Sequence, residues 1–266
     1  MNGVGVAGIG LVTAWGEGLA ALPGDARRAA AGRRLIAMPR LEIAGDRFRR
    51  ATRECLMGVA AVEAMLRRTR LDRAALAGDG TALVYVTAAA YGAANRELVA
   101  PSTPVGALHF PYTAPSAVAA EVAIEFGLRG GYVILVGGAV TTLDALWQGG
   151  RAVARGECER ALVLAVESFA ECEALYARAR FGVPTPLVEA AACALLVPGE
   201  GELVVEPPVA SRGRGPSPLE TRARRRAGET FACAPLIALA LAGEGEARGV
   251  LTAEWRGRRA ALAIRG

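Results

Sequence analysis

The chain has 266 residues, 53% of them hydrophobic, and a formal net charge of +5 from 31 basic and 26 acidic residues. Every basic residue is an arginine, which excludes a Walker phosphate loop, a Schiff-base lysine and a lysine general base. One histidine, five scattered cysteines (Cys55, Cys158, Cys172, Cys193, Cys233) without a C-x-x-C pair, and 5% aromatics leave no metal-ligand cluster and no basic–aromatic stripe for nucleic acid.

No apolar run reaches the length of a membrane span, and no basic segment precedes the first apolar stretch. The expectation is a cytoplasmic chain with reduced thiols and no membrane span. In chain order, Val4 to Val12 predicts a buried first strand, and residues 21–50 read as a loop studded with Arg and Gly. From Thr52 to Arg68 the spacing of Cys55, Leu56, Val59, Ala60, Val62, Ala64 and Leu66 predicts a helix. Asp79-Gly80 punctuates the chain before a β-rich run from Thr81 to Thr87. A small-residue helix is expected over Ser116 to Phe126, ended by Gly127, and then a short strand over Tyr132 to Val136. A helix from about Thr142 to Ala154 stops at Gly156, and strands follow over Arg160 to Val166 and Ala190 to Val197. The Arg-rich stretch 209–226 reads as an exposed connection. Beyond it come a helix over about Thr230 to Leu241 and a hairpin, Gly249 to Trp255 with Arg259 to Ile264, turning at Arg256-Gly257-Arg258. Strands alternating with helices predict an α/β fold with a mainly parallel sheet covered on both faces.

Gly3-Val4-Gly5-Val6-Ala7-Gly8 matches the G-x-G-x-x-G pattern of dinucleotide sites. That loop must follow a strand, and only Met1 and Asn2 precede it, so its glycines are expected within or beside the first strand, where they allow close packing.

The informative region is Pro111 to Glu167. Gly127-Leu128-Arg129-Gly130 closes a helix, a short strand follows, and Gly138-Ala139-Val140-Thr141 opens the next helix. That helix ends in Arg155-Gly156-Glu157-Cys158-Glu159, and the next strand finishes Ala165-Val166-Glu167. The order closely resembles the β-ketoacyl synthases of the thiolase-like superfamily. Their pattern is G-L-R-G-P, a strand, A-C-[ST]-S at a strand-to-helix elbow, a helix, G-D-A-D, and a strand ending G-G-x-E. Gly8-Ile9-Gly10-Leu11-Val12-Thr13 is similar to that family's opening G-x-G-x-V-[TS], and Val188-Glu189-Ala190-Ala191 to its G-E-G-A strand. The resemblance covers about residues 3–200. It implies a thiolase-like layered α/β/α/β/α fold. A complete N-terminal half would occupy 1–208, the Arg-rich connection 209–226, and a C-terminal half reduced to a helix and hairpin 227–266.

The departures from that family bear on function. The elbow position of the acyl-accepting cysteine is Ala139, whose methyl group cannot attack a thioester. Gly228-Glu229-Thr230-Phe231-Ala232-Cys233-Ala234 is similar to G-H-x-x-x-A-A, with Glu229 where the histidine belongs. His109 fits neither of the family's basic motifs. Glu254-Trp255-Arg256-Gly257-Arg258 stands where the family carries a G-F-G-G-T-N turn. The resemblance therefore implies a pseudo-enzyme with no catalytic residue, metal or cofactor of its own. It implies a chain-length-factor-like subunit of a type II fatty-acid, polyketide or aryl-polyene-like pathway. Such a subunit pairs with an active β-ketoacyl synthase as a heterodimer, or with itself as a homodimer. The helix over Ser116 to Phe126 is expected at that interface, and His109, Phe110 and Tyr112 are candidates for the wall of the partner's acyl tunnel. An acyl carrier protein is a further partner that the basic charge favours. Two alternatives stay open: a diverged acyl-transfer or thioester enzyme using another residue, such as Cys158 or Cys172, and a binding module for acyl carrier protein.

Overall fold

Val4, Val6, Leu11 and Val12 are buried along the first strand, β1 (Val4–Thr13), which runs through the middle of the molecule. The structure, a computed structural model, describes residues 3–46, 48, 51–99, 107–169, 185–199, 203–209, 216–243 and 249–265. Further strands are β2 (Gly16–Glu17), β3 (Leu35–Ile36), β4 (Thr81–Thr87), β5 (Tyr132–Val136) and β6 (Arg160–Glu167). They are followed by β7 (Leu187–Val188), β8 (Ala190–Pro198), β9 (Leu203–Val209), β10 (Gly249–Trp255) and β11 (Arg258–Arg265). The helices are α1 (Ala26–Ala29), α2 (Arg53–Thr69), α3 (Gly92–Val99), α4 (Ala117–Phe126), α5 (Ala139–Ala154), α6 (Pro218–Ala227) and α7 (Ala234–Ala242).

One nine-stranded sheet runs β10-β11-β9-β1-β8-β6-β4-β5, with β2 paired to β1. Its pairing corrects the expectation of a mainly parallel sheet. Only β4–β5 and β4–β6 are parallel, while β6–β8, β8–β1, β1–β9, β9–β11 and β11–β10 are antiparallel. The cause is the connections. Helices α4 and α5 carry the chain back between β4, β5 and β6, and a crossover of that kind is what parallel neighbours require.

Side chains alternate across the sheet with period two. From β6, Ala161, Val163 and Ala165 enter one core with α5 and α7, while Leu162, Leu164 and Val166 enter the other with α2 and α4. The Thr52 side chain caps α2 by accepting from the Cys55 N–H, and Arg70 ends it in a left-handed conformation. Gly10 of β1 lies against this helix, and a Cβ there would sit 2.1 Å from the Met65 nitrogen. Of the G-x-G-x-x-G glycines, Gly8 lies against the same helix, where a Cβ would sit 2.6 Å from the Thr69 side chain, whereas Gly3 precedes β1.

The stretch read as an exposed connection, 209–226, contains a helix over its second part. Ser217 accepts from the Glu220 N–H at 3.2 Å and Pro218 occupies the first turn, so the local signal is a helix start. Ala223 and Ala227 are buried, Arg222, Arg224 and Arg225 are exposed, and the half-buried Arg226 donates to the Leu19 and Leu22 carbonyls at 3.0 and 3.1 Å. The hairpin β10–β11 turns at Arg256 (φ 49°) and Gly257 (φ 77°), both in the left-handed region that two-residue hairpin turns use. It joins the sheet through β9, and α5 touches β10 and β11 as well as β4, β6 and β8. The sheet thus curls around α5.

Candidate functional site

Strand β5 ends at Val136, and Gly137 and Gly138 turn the chain directly into α5. The helix begins at Ala139, three residues before the expected Thr142, because the Gly138 carbonyl accepts from the N–H groups of Thr141 and Thr142. Ala139, the residue that the family resemblance places at the nucleophile position, is half-buried and packs on the core of α5 and α7.

Three aromatic rings converge on this elbow. A Cβ on Gly138 would lie 2.3 Å from the indole of Trp255, so the ring rests against the elbow backbone. Phe231 stands edge-on to Trp255 and to Phe169, with centroids 4.9 Å apart in both pairs. Phe231 has φ 45°, a left-handed conformation that costs a non-glycine residue about 1–3 kcal/mol and survives only where its surroundings fix it. Here the fixing is visible next door. The Ala232 carbonyl accepts from the Thr142 hydroxyl at 2.7 Å, and the Ala232 N–H donates to Glu167 at 3.2 Å. The space left beside Ala139, Phe231, Trp255 and Glu229 is a cleft of about 90 Å³. Ligand pockets are several times larger, from about 300 Å³ upward.

Glu229, at the position the resemblance assigns to a histidine, borders the same cleft. Its Oε2 is 3.3 Å from the Arg224 Nε, and its Oε1 accepts from the Phe231 N–H at 3.2 Å. Burial pushes its carboxyl above the usual range and the Arg224 guanidinium opposes that. Ala139 and Glu229 are thus brought together, as a methyl group and a tethered carboxyl.

Two carboxyls at motif positions, Glu167 and Glu189, are buried. Glu167, at the end of β6, accepts from the N–H groups of Ala88 (2.7 Å), Ala89 (2.9 Å) and Ala232, and desolvation pushes its pKa up to about 8. Glu189 is fully buried, ion-paired with Arg53, and accepts from the N–H groups of Met38 (2.7 Å) and Phe169 (2.9 Å). Glu167 ties two other segments of chain to the end of β6, and Glu189 ties three to the start of β8. The sequence signal for them was a strand end and a strand start carrying an acid amid alanines.

Burial raises the pKa of every described cysteine thiol whose shift is resolved: Cys55 to about 11, and Cys158, Cys193 and Cys233 also upward. A nucleophilic cysteine needs the opposite shift. Cys172 lies outside the described residues. Among the described residues no group of three or more His, Cys, Asp or Glu is placed to hold a metal. No described helix is long and apolar enough to cross a membrane.

His109, Phe110 and Tyr112 fall on a 3-10 helix over Ala107–Thr113 that precedes α4. Phe110 is 66% exposed, Tyr112 packs half-buried against the core of α2 and α4, and the His109 side chain lies outside the described residues. Helix α4 turns Val118, Ala119, Val122 and Phe126 inward and leaves Ile124 exposed. Strand β5 pairs with β4 and with no other strand among the described residues, and Tyr132, Val133 and Val136 are exposed on it.

A family model for the β-ketoacyl synthase N-terminal domain matches residues 40–201. No curated protein sequence matches the chain. Among solved structures, the fold is similar to a chain of the ishigamide ketosynthase/chain length factor, with TM-score 0.73, 17% identity and 98% of each chain covered. It is also similar to a chain of AntDE:AntF, a type II PKS acyl-carrier protein in complex with its ketosynthase bound to the hexaketide. That match has TM-score 0.78, 13% identity and 100% of each chain covered. A third likeness is to a chain of the ketosynthase ApeO in complex with its chain length factor ApeC from Xenorhabdus doucetiae, with TM-score 0.61, 14% identity and 100% of each chain covered.

Proposed function

The chain belongs to the β-ketoacyl synthase family, and we propose that within it the protein is a non-catalytic, chain-length-factor-like subunit. It pairs with an active β-ketoacyl synthase in a type II fatty-acid, polyketide or aryl-polyene-like pathway and shapes the cavity in which the acyl chain grows. The observation that carries this reading is the elbow. A methyl group stands at the nucleophile position, and the acid at the histidine position is held by Arg224. The raised thiol pKa values speak against the alternative of an acyl-transfer enzyme built on Cys55, Cys158, Cys193 or Cys233. In the family's layered fold, α6, α7 and the hairpin then stand for a reduced second half.

The pairing surface in this reading is the edge strand β5 with the neighbouring end of α4, where Tyr132, Val133, Val136 and Ile124 expose apolar surface. Phe110, exposed on the preceding 3-10 helix, would reach the partner's tunnel, with His109 and Tyr112 beside it. An acyl carrier protein is the further partner. Residues 25–34 and 217–229 together hold eight arginines against three acids, an excess of five that equals the net charge of the whole chain. Helices α1 and α6, which carry most of these residues, are in contact, and Asp25 lies 3.9 Å from Arg225. An acidic carrier fits such a face. The test of the catalytic half of the reading is direct: malonyl-carrier decarboxylation and self-acylation by the isolated chain. Rates no higher than those of an unrelated protein are expected, and a stable acyl adduct would overturn it.

A further inference from the structure

The aromatic stack at the elbow does more than fill the space left by a lost cysteine. The geometry points to Trp255 as a built-in plug that keeps any thioester arm away from position 139, whatever residue stands there. Trp255 is the last residue of β10, and the two-residue turn at Arg256 and Gly257 fixes where the strand ends. Its indole rests on Gly138, where even a methyl group would clash at 2.3 Å, so the ring and the elbow backbone are in direct contact. Phe231 abuts the ring from the α7 side and is itself backed by the fully buried Phe169. The rings come from three separate places in the chain: after β6, before α7 and at the hairpin tip.

Two further observations make this an engaged plug rather than a loose lid. Phe231 holds its left-handed backbone, and the neighbouring Ala232 is bonded on both sides, to Thr142 and to Glu167. The cleft that remains, about 90 Å³, has room for roughly three waters at ~30 Å³ each. An extended thioester arm needs a channel several times that size. In a pair with an active synthase, as proposed above, the plug leaves the partner's cysteine as the single place where an acyl group can settle. The seal itself depends only on this chain.

The test uses Ala139→Cys in the full-length protein, with iodoacetamide as the probe and modification at position 139 read by peptide mass spectrometry. A group that reacts only when the structure opens is protected by the opening equilibrium. Alkylation of the introduced thiol in the native protein is expected to be at least about 100-fold slower than in the urea-unfolded protein. Adding Trp255→Ala should speed the native reaction by about tenfold or more, whereas Trp255→Phe should leave it slow. Cys158, in the turn between α5 and β6, reports whether the variants stay folded, since its labelling rate should not change. A native rate for Ala139→Cys close to the unfolded rate would overturn the plug, and so would equal native rates for Ala139→Cys with Trp255 in place and with Trp255→Ala. The native-versus-unfolded comparison stands even if the Trp255→Ala protein does not fold. No partner protein enters the assay, so its outcome is separate from that of the pairing experiment.

Discussion

The Thr142 hydroxyl on α5 and the Ala232 carbonyl before α7, 90 residues apart in the chain, are joined by a buried 2.7 Å hydrogen bond. The other side of Ala232 is held by Glu167, so one peptide links the elbow helix, the end of β6 and the start of the C-terminal segment. Glu167 has no described cation beside it, and Tyr85, Thr87 and Cys233 are the titratable or polar groups that face it. Its pKa in the folded state, about 8, lies above the ordinary 4.5. Between these values the folded state holds a proton that the unfolded state has lost, so this group's contribution to stability is fully present below 4.5 and falls as pH rises toward 8. Urea midpoints at pH 5.5 and 8.5 should show a loss on the order of a few kcal/mol. Glu167→Gln should flatten this slope while lowering stability at pH 5.5, because an amide nitrogen cannot accept from the Ala89 N–H. A slope unchanged in the variant would assign the pH dependence elsewhere.

Arg53 and Glu189 make the opposite case, a buried carboxyl with its cation in place. Arg53→Ala leaves Glu189 unpaired inside the protein and should cost about 3–5 kcal/mol. Arg67→Ala removes the exposed pair with Glu17, whose side chains are 56% and 53% accessible, and should cost under about 1 kcal/mol. Chemical denaturation of both variants checks the contrast. Equal losses would mean that Glu189 finds another partner or takes up a proton.

Glycine substitutions separate contact from mere flexibility. Gly10→Ala drives a methyl group into the backbone of α2 at Met65 and should destabilise by several kcal/mol or prevent folding. Gly150, within α5, has its nearest neighbour at 3.8 Å, and Gly150→Ala should stabilise by about 0.5–1 kcal/mol through helix propensity. Thermal unfolding decides both, and a neutral Gly10→Ala would show that β1 and α2 can separate.

How far the sequence carried this picture depends on the range of the interaction. Strands β4 and β5 are legible to their limits, because Asp79-Gly80 and Gly137-Gly138 punctuate short β-branched runs. Helix α6 is masked in the sequence because its arginines hide a narrow buried face of Ala223 and Ala227. The signal that could have found it was local, a Ser217-Pro218 start with Glu220 at the third position. Strand direction is not legible in the sequence, because periodicity says which residues are buried and nothing about which way the neighbour runs. The contact of Gly138 with Trp255, and the burial of Glu167, join distant segments and were not legible at all. Ala139 and Glu229 were singled out by resemblance, and the structure places both beside one cleft.

The pairing surface can be told apart from the core by two substitutions. Val133 is 42% exposed on β5, which ends the sheet among the described residues, so Val133→Arg should leave folding intact and abolish association with a synthase. Ala119 lies on the inward face of α4, 1% exposed, so Ala119→Arg should unfold the chain instead of merely separating subunits. Circular dichroism and size-exclusion chromatography of the two variants distinguish these outcomes. Normal association of Val133→Arg would move the interface away from β5.

The most direct measurement of the central reading is native mass spectrometry of the chain co-expressed with a cysteine-bearing β-ketoacyl synthase from the same type II system and purified through a tag on the synthase. A one-to-one complex is expected, losing all acylation when the synthase's nucleophilic cysteine is replaced. Recovery of the synthase alone, with this chain running separately and carrying an acyl group of its own, would contradict it.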